Sequence, residues 1–93
     1  MTPEGVLKKQ VKAYLDEHGA YYFMPVQMGF GAATVDFLCC VKGRFVAIET
    51  KIWPRRATPR QLACLKSVRD AGGIGFVAYE VEAMQSNLKV LFL

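Results

Sequence analysis

The 93-residue chain contains no run of apolar residues approaching the roughly 18 that a membrane helix needs, which excludes a helical span. It also lacks internal repeats and low-complexity segments. Its cysteines, Cys39, Cys40 and Cys64, are odd in number and have no CxxC spacing. Cys39 and Cys40 are neighbours in a predicted strand and so point to opposite faces, which excludes a disulfide framework and a thiolate metal cage. All three are expected to be small core residues in a reducing compartment. The opening Met1-Thr-Pro-Glu has neither the basic nor the apolar region of a signal peptide, so a cytoplasmic location is expected.

Acid is scarce in the middle of the chain. Of twelve Lys and Arg against eight Asp and Glu, six basic residues (Lys42, Arg44, Lys51, Arg55, Arg56, Arg60) and one acid, Glu49, lie between Lys42 and Arg60, a local excess of five positive charges. The remainder is close to neutral. A clustered positive surface suits a phosphate backbone, although a solvated loop without a partner would have the same composition. The apolar fraction of 53% is ample for a packed core, and the length is that of one domain, residues 1–93. A domain this small buries only about two thirds of its unfolded surface, so a partner subunit would help it.

Thr2-Pro3 reads as a helix cap followed by proline in the first turn, with Val6, Leu7, Val11, Tyr14 and Leu15 on one stripe, Lys8, Lys9, Lys12 and Asp16 facing away, and Gly19 as the stop. Ala20 to Pro25 is aromatic-rich and ends in proline, which predicts a short strand near an edge. The stretch from Met28 to Ala33 contains two glycines, but not at the spacing of a phosphate-binding loop. Thr34 to Val41 and Arg44 to Lys51 are strand-like runs joined by Lys42-Gly43, a hairpin. Thr58-Pro59 repeats the cap-plus-proline signal before a second helix that Gly72-Gly73 ends. Ile74 to Tyr79 and Leu88 to Leu93 read as two further strands, with the segment between them unassigned. The predicted order is α-β-β-β-α-β-β, an α/β domain with a mixed β-sheet flanked by helices.

The hairpin predicts where the chemistry lies. A two-residue turn at Lys42-Gly43 pairs positions whose numbers sum to 85, and this sets Asp36 opposite Glu49. Directly opposed residues bring their Cβ atoms about 4.5–5.5 Å apart, and like charges there repel. Lys51, two residues beyond Glu49, shares its face. Two carboxylates inside an apolar hairpin need a cation to compensate them. Mg²⁺, which takes one or two carboxylates and keeps waters for a substrate phosphate to replace, fits what this face supplies. Lys51 could then orient or help deprotonate the attacking water. An internal Asp-Lys-Glu salt-bridge cluster is the other account of the same three residues.

Asp36, then the hairpin strand Gly-Arg-Phe-Val-Ala-Ile-Glu-Thr-Lys, then Thr-Pro-Arg-Gln opening a helix that ends before Gly-Gly, with Glu4 on an earlier helix and a Gly-rich loop before the Asp, resembles the PD-(D/E)XK nuclease superfamily. Within it the pattern resembles the virus-type replication-repair nuclease (VRR-NUC) domain, over almost the whole chain. The D…ExK spacing alone is a weak signal; with the helical Glu and the Thr-Pro-x-Gln it is more specific. The resemblance implies a restriction-endonuclease-like core and a Mg²⁺- or Mn²⁺-dependent DNA endonuclease. It also implies that Asp36, Glu49 and the Thr50 carbonyl ligate metal, that Lys51 serves the water, and that Glu4 and Gln61 support the site. Val35 stands where the family usually has proline before the Asp. Stand-alone versions of the domain resemble Holliday-junction resolvases, which implies a homodimer acting on branched or four-way DNA and, by analogy, a phage origin and a host cytoplasm.

Glu4 has a second account, since an acid in a helix's first turn is favourable against the macrodipole in any case. Gln61 read without the resemblance is an exposed first-turn residue. Arg55, Arg56 and Arg60 beside Trp53 could grip phosphates and stack on a base, while Trp53 would serve equally to cover the core or a dimer surface. His18 reads as a helix-end or surface residue. A non-catalytic nucleic-acid-binding module on the same scaffold is the alternative to the nuclease. An interaction subunit that binds no nucleic acid is a third reading.

Overall fold

The computed structural model describes residues 1–26 and 34–93. The Gly-rich stretch from Met28 to Ala33 lies outside the described residues. Thr2 caps helix α1 (Pro3–Glu17) by accepting the Gly5 N–H at 3.0 Å, with Pro3 in the first turn. The helix ends where Gly19 takes a φ of +68°, a conformation that Gly adopts without a Cβ penalty. Strand β1 (Tyr21–Phe23) follows at the sheet edge, then β2 (Phe37–Val41) and β3 (Arg44–Thr50). Helix α2 (Pro59–Asp70), β4 (Ile74–Ala78), α3 (Glu82–Leu88) and a 3-10 turn (Lys89–Phe92) complete the described chain.

The sheet runs β1-β2-β3-β4, the first three antiparallel and β4 parallel to β3 by way of α2. Lys42 and Gly43 both take positive φ, 50° and 78°, as a two-residue hairpin turn of the I′ type requires. The register follows: Phe37 pairs with Ile48, Leu38 with Ala47, Cys39 with Val46.

Helices cover both faces. On one, Leu7, Val11 and Leu15 of α1 and Met84 and Leu88 of α3 pack on Phe37, Cys39, Val41, Val46, Ile48 and Phe76. On the other, Leu65 of α2 packs on Val35 and Ala47. That second contact is close: a Cβ at Gly75 would lie 2.9 Å from the Leu65 carbonyl oxygen, so α2 can approach β4 only because residue 75 has no side chain. Strand β3, covered on both sides, is buried without interruption from Val46 to Thr50. Glu49 is a charged residue within that stretch, and β3 is thereby the strand that positions the site.

Several expectations need correction. Leu88 to Leu93 is not a strand, and the order after β4 is helix and 3-10 turn. Met84 and Leu88 are buried and Leu91 and Phe92 half-buried while Lys89 and Val90 are exposed, a helical spacing that outweighs the β-branched and aromatic composition of the run. Val6 is 42% exposed and outside the core stripe. Of the three free cysteines only Cys39 is buried, and burial pushes its thiol up to about 12; Cys40 is exposed and Cys64 intermediate. No helix among the described residues is long and apolar enough to cross a membrane.

Candidate active site

Asp36 sits at a bend one residue before β2, beside Glu49 in the continuation of the hairpin register. The two acids are clasped reciprocally. The Asp36 N–H donates to Glu49 Oε1 at 3.1 Å, while the Thr50 N–H and hydroxyl both donate to Asp36 Oδ2, at 3.1 and 2.5 Å. Each carboxylate therefore has one oxygen held by a backbone N–H of the opposite strand.

The remaining oxygens face lysines. Lys51, on the same face as Glu49 by the strand's period of two, brings Nζ to 3.4 Å from Glu49 Oε2. Lys8 of α1 brings Nζ to 3.6 Å from Asp36 Oδ1 and to 3.7 Å from Glu4 Oε1, one helical turn before it. Glu49 is only 2% exposed. Burial and then the neighbouring Asp36 charge raise its carboxyl above the ordinary range, against the opposing pull of Lys51 and the Asp36 N–H.

Among the described residues no group of three or more His, Cys, Asp or Glu is arranged to hold a metal ion, so Glu4 does not join Asp36 and Glu49 around a common point. What the site offers is a pair of adjacent carboxylates and hard oxygen donors alone. That set suits Mg²⁺ or Mn²⁺, ions that accept one or two carboxylates and keep water in their other positions, and does not suit an ion that needs an all-protein cage. A cation beside the pair would favour the charged form of Glu49 against the burial that opposes it.

Glu4 and Lys51 line one cavity of about 320 Å³ with Thr2, Pro3, Ile52 and Arg55. The sequence-derived site is thus brought together in large part: Thr50 contacts Asp36, Asp36 contacts Glu49, Glu49 contacts Lys51, and Glu4 is tied to Asp36 through Lys8. Thr50, expected to act through its carbonyl, offers Asp36 its N–H and hydroxyl. Gln61 is engaged elsewhere. Its Oε1 accepts the Thr58 N–H at 2.9 Å and its own N–H donates to Thr58 Oγ1 at 3.2 Å, a capping box at the start of α2.

Beyond β3, Trp53 is 63% exposed, its edge against Tyr79 and the Arg56 guanidinium 5.2 Å over its ring. Arg55, Arg56 and Arg60 are exposed, and among the described residues none pairs with an acid. They leave a positive surface beside the cavity. His18 caps α1, with Nδ1–H donating to the Tyr14 carbonyl at 2.8 Å and its ring stacked on Tyr14, which gives it a structural task away from the acids. Two contributors were not anticipated from sequence. Lys8 was grouped with the solvent-facing lysines, although its i,i+4 spacing from Glu4 marks it as that acid's partner. The Thr50 hydroxyl carries no sequence signal of its own.

A solved structure described as "VRR_NUC domain" superposes on this chain with a TM-score of 0.78 at 22% sequence identity, covering 96% of this chain and 97% of that one. The chain therefore has the fold of a VRR-NUC domain, a mixed four-stranded sheet flanked by helices. No protein-family model matches the sequence, and no curated protein does.

Proposed function

We propose that this chain is a Mg²⁺- or Mn²⁺-dependent DNA endonuclease of the VRR-NUC type, hydrolysing phosphodiester bonds and acting as a homodimer on branched DNA such as a four-way junction. The observation that supports it most is the clasped Asp36–Glu49 pair with Lys51 on the same face, in a chain whose fold matches a nuclease domain. Asp36, Glu49 and the Thr50 carbonyl are the groups that would hold the ion, with Glu4 beside them, joined to Asp36 through Lys8. When bound, the ion would draw charge from a phosphate oxygen and lower the cost of negative charge in the transition state.

The chain's own residues supply the rest. Thr50 holds Asp36 with two donors, so the carboxylate cannot rotate away from the hairpin end. The Lys51 ammonium, 3.4 Å from Glu49 Oε2, is a donor that orients a water against the phosphorus and stabilises charge developing on the phosphorane. Arg55 at the cavity wall and Arg56 and Arg60 beyond it neutralise flanking phosphates, and Trp53 offers a face for stacking. Gln61 supports the site by fixing the start of α2. In this reading the protein works in a cytoplasm, that of the host if a phage encodes it.

A second reading has a specific observation in its favour: Lys8 and Lys51 already stand against the acids, so the cluster could be structural and the positive segment sufficient for DNA binding. Incubating purified protein with linear, flapped and four-way DNA, with and without Mn²⁺, beside Asp36→Asn separates the two. Metal-dependent cleavage lost in the variant supports the nuclease. Salt-sensitive binding indifferent to metal, with no nicking, overturns it in favour of a binding module.

A further inference from the structure

Lys8 is placed where it controls access to the acids. Asp36 Oδ2 is occupied by both Thr50 donors, so Oδ1 is the oxygen left to an incoming ligand, and Lys8 Nζ stands 3.6 Å from it. The same ammonium is 3.7 Å from Glu4 Oε1. One flexible cation thus spans two carboxylates that belong to different elements, the first turn of α1 and the bend before β2.

Its hold on them is electrostatic. Charge-assisted N–H···O bonds lie at about 2.7–2.9 Å, and both Lys8 contacts are well beyond that. The Lys8 side chain is also 31% exposed, with water within reach of its head. Lys51 differs, since its side chain is 13% exposed and its partner Glu49 is nearly sealed from solvent. Of the two lysines, Lys8 is the one free to leave.

We infer that Lys8 is a resident counter-cation that holds Asp36 Oδ1 and Glu4 in the metal-free protein and competes with the divalent ion for them. The inference rests on the reading that the ion binds at Asp36. An ammonium and a divalent cation repel each other, so an ion bound at Oδ1 either drives Lys8 back or is held more weakly for its presence. Two consequences follow: metal affinity is weaker than the carboxylates alone would set, and the metal-free acids are kept from repelling one another.

The test is Mn²⁺ binding without DNA, followed by calorimetry and by the electron paramagnetic resonance of free Mn²⁺, on the wild type, Lys8→Met, Lys8→Arg and Asp36→Asn. Lys8→Met should bind Mn²⁺ tighter by roughly five- to a hundredfold, the range in which two ligands of linked sites ordinarily antagonise each other. Lys8→Arg, which restores the cation, should return affinity toward the wild type. Because a folding defect weakens binding, a gain of affinity in Lys8→Met cannot arise from damage. Affinity unchanged or lower in Lys8→Met, with binding still abolished in Asp36→Asn, overturns the role of Lys8 and leaves the metal site standing. Absence of Mn²⁺ binding in the wild type and Lys8→Met alike, or binding indifferent to Asp36→Asn, overturns the metal reading and this inference with it.

Discussion

Replacing Asp36 by alanine and by asparagine should give two different proteins, and the difference follows from the two donors on Oδ2. Thr50 is fully buried, and cutting the carboxylate away takes the acceptor from both its N–H and its hydroxyl. The hydroxyl can rotate toward another acceptor, but the N–H cannot. A hydrogen bond to a charged group contributes about 1.5–3 kcal/mol, and an orphaned buried donor costs about as much. Removing Asp36 also relieves its repulsion of Glu49, which offsets roughly 1 kcal/mol on the scale of like charges opposed in a sheet. Asp36→Ala should therefore lose about 2–4 kcal/mol, a large share of the roughly 5–15 kcal/mol typical of a domain. At about 4–8 °C per kcal/mol for a domain of this size, Tm should fall by roughly 8–32 °C. Asn can keep its one carbonyl oxygen at the Oδ2 position and satisfy both donors. It loses the charge assistance of those bonds and the partly exposed pair with Lys8 but also the repulsion of Glu49, so the net change should stay near about 1 kcal/mol and Tm within roughly 8 °C of the wild type. Thermal unfolding followed by circular dichroism in EDTA reads both. If the alanine and asparagine variants melt together, Thr50 does not depend on Asp36 and the clasp has been misread. The practical consequence is that loss of cleavage in Asp36→Ala would mix misfolding with lost chemistry, whereas in Asp36→Asn it would not.

Glu49 predicts a pH dependence in the metal-free protein. Its raised carboxyl means that the folded state favours the protonated form, so its contribution to stability is greatest below the unfolded value of about 4.3 and declines as pH rises through the higher folded value. The stability difference between Glu49→Gln and wild type should shift toward the variant across that window, and a difference constant with pH in denaturant melts would refute the account. Gly75→Ala should cost about 1–3 kcal/mol by driving a Cβ against Leu65 backbone atoms that cannot yield, measured as a lower denaturant midpoint with unchanged m. An unchanged midpoint would mean that α2 is not pinned at β4. Arg55→Ala and Arg56→Ala should each weaken DNA binding and reduce the slope of log K against log salt by about 1; equal slopes in wild type and variants would remove these arginines from the interface.

The fold was legible wherever a local signal and the global topology agreed. Thr2-Pro3 and Thr58-Pro59 marked both long helices because cap and proline chemistry is set by neighbours in sequence. Lys42-Gly43 marked the hairpin and, through the arithmetic of a two-residue turn, its whole register. The C-terminal segment failed because a short apolar run rich in valine, leucine and phenylalanine is compatible with either period. Only burial, with Met84 and Leu88 inside and Lys89 and Val90 outside, decides for the helix and the turn after it.

The site divides along the same line. Asp36, Glu49 and Lys51 could be brought together from sequence since register and strand period relate them by counting alone. The contact of Lys8 could not be counted out in this way because it depends on what lies across space from it. Gln61 sits three residues after Thr58, and this spacing serves a capping box as readily as a catalytic contact; the hydrogen bonds at Thr58 show the former. Lys8 was assigned to solvent by its helix's own periodicity, which is blind to an acid arriving from the bend before β2. The consequence reaches beyond one residue. Carboxylates brought near one another in a fold are compensated by neighbouring cations, and the groups that do so appear in no motif because any nearby cation serves. In this protein the acids could be read from the chain, whereas the lysine that stands against two of them is visible only in the fold.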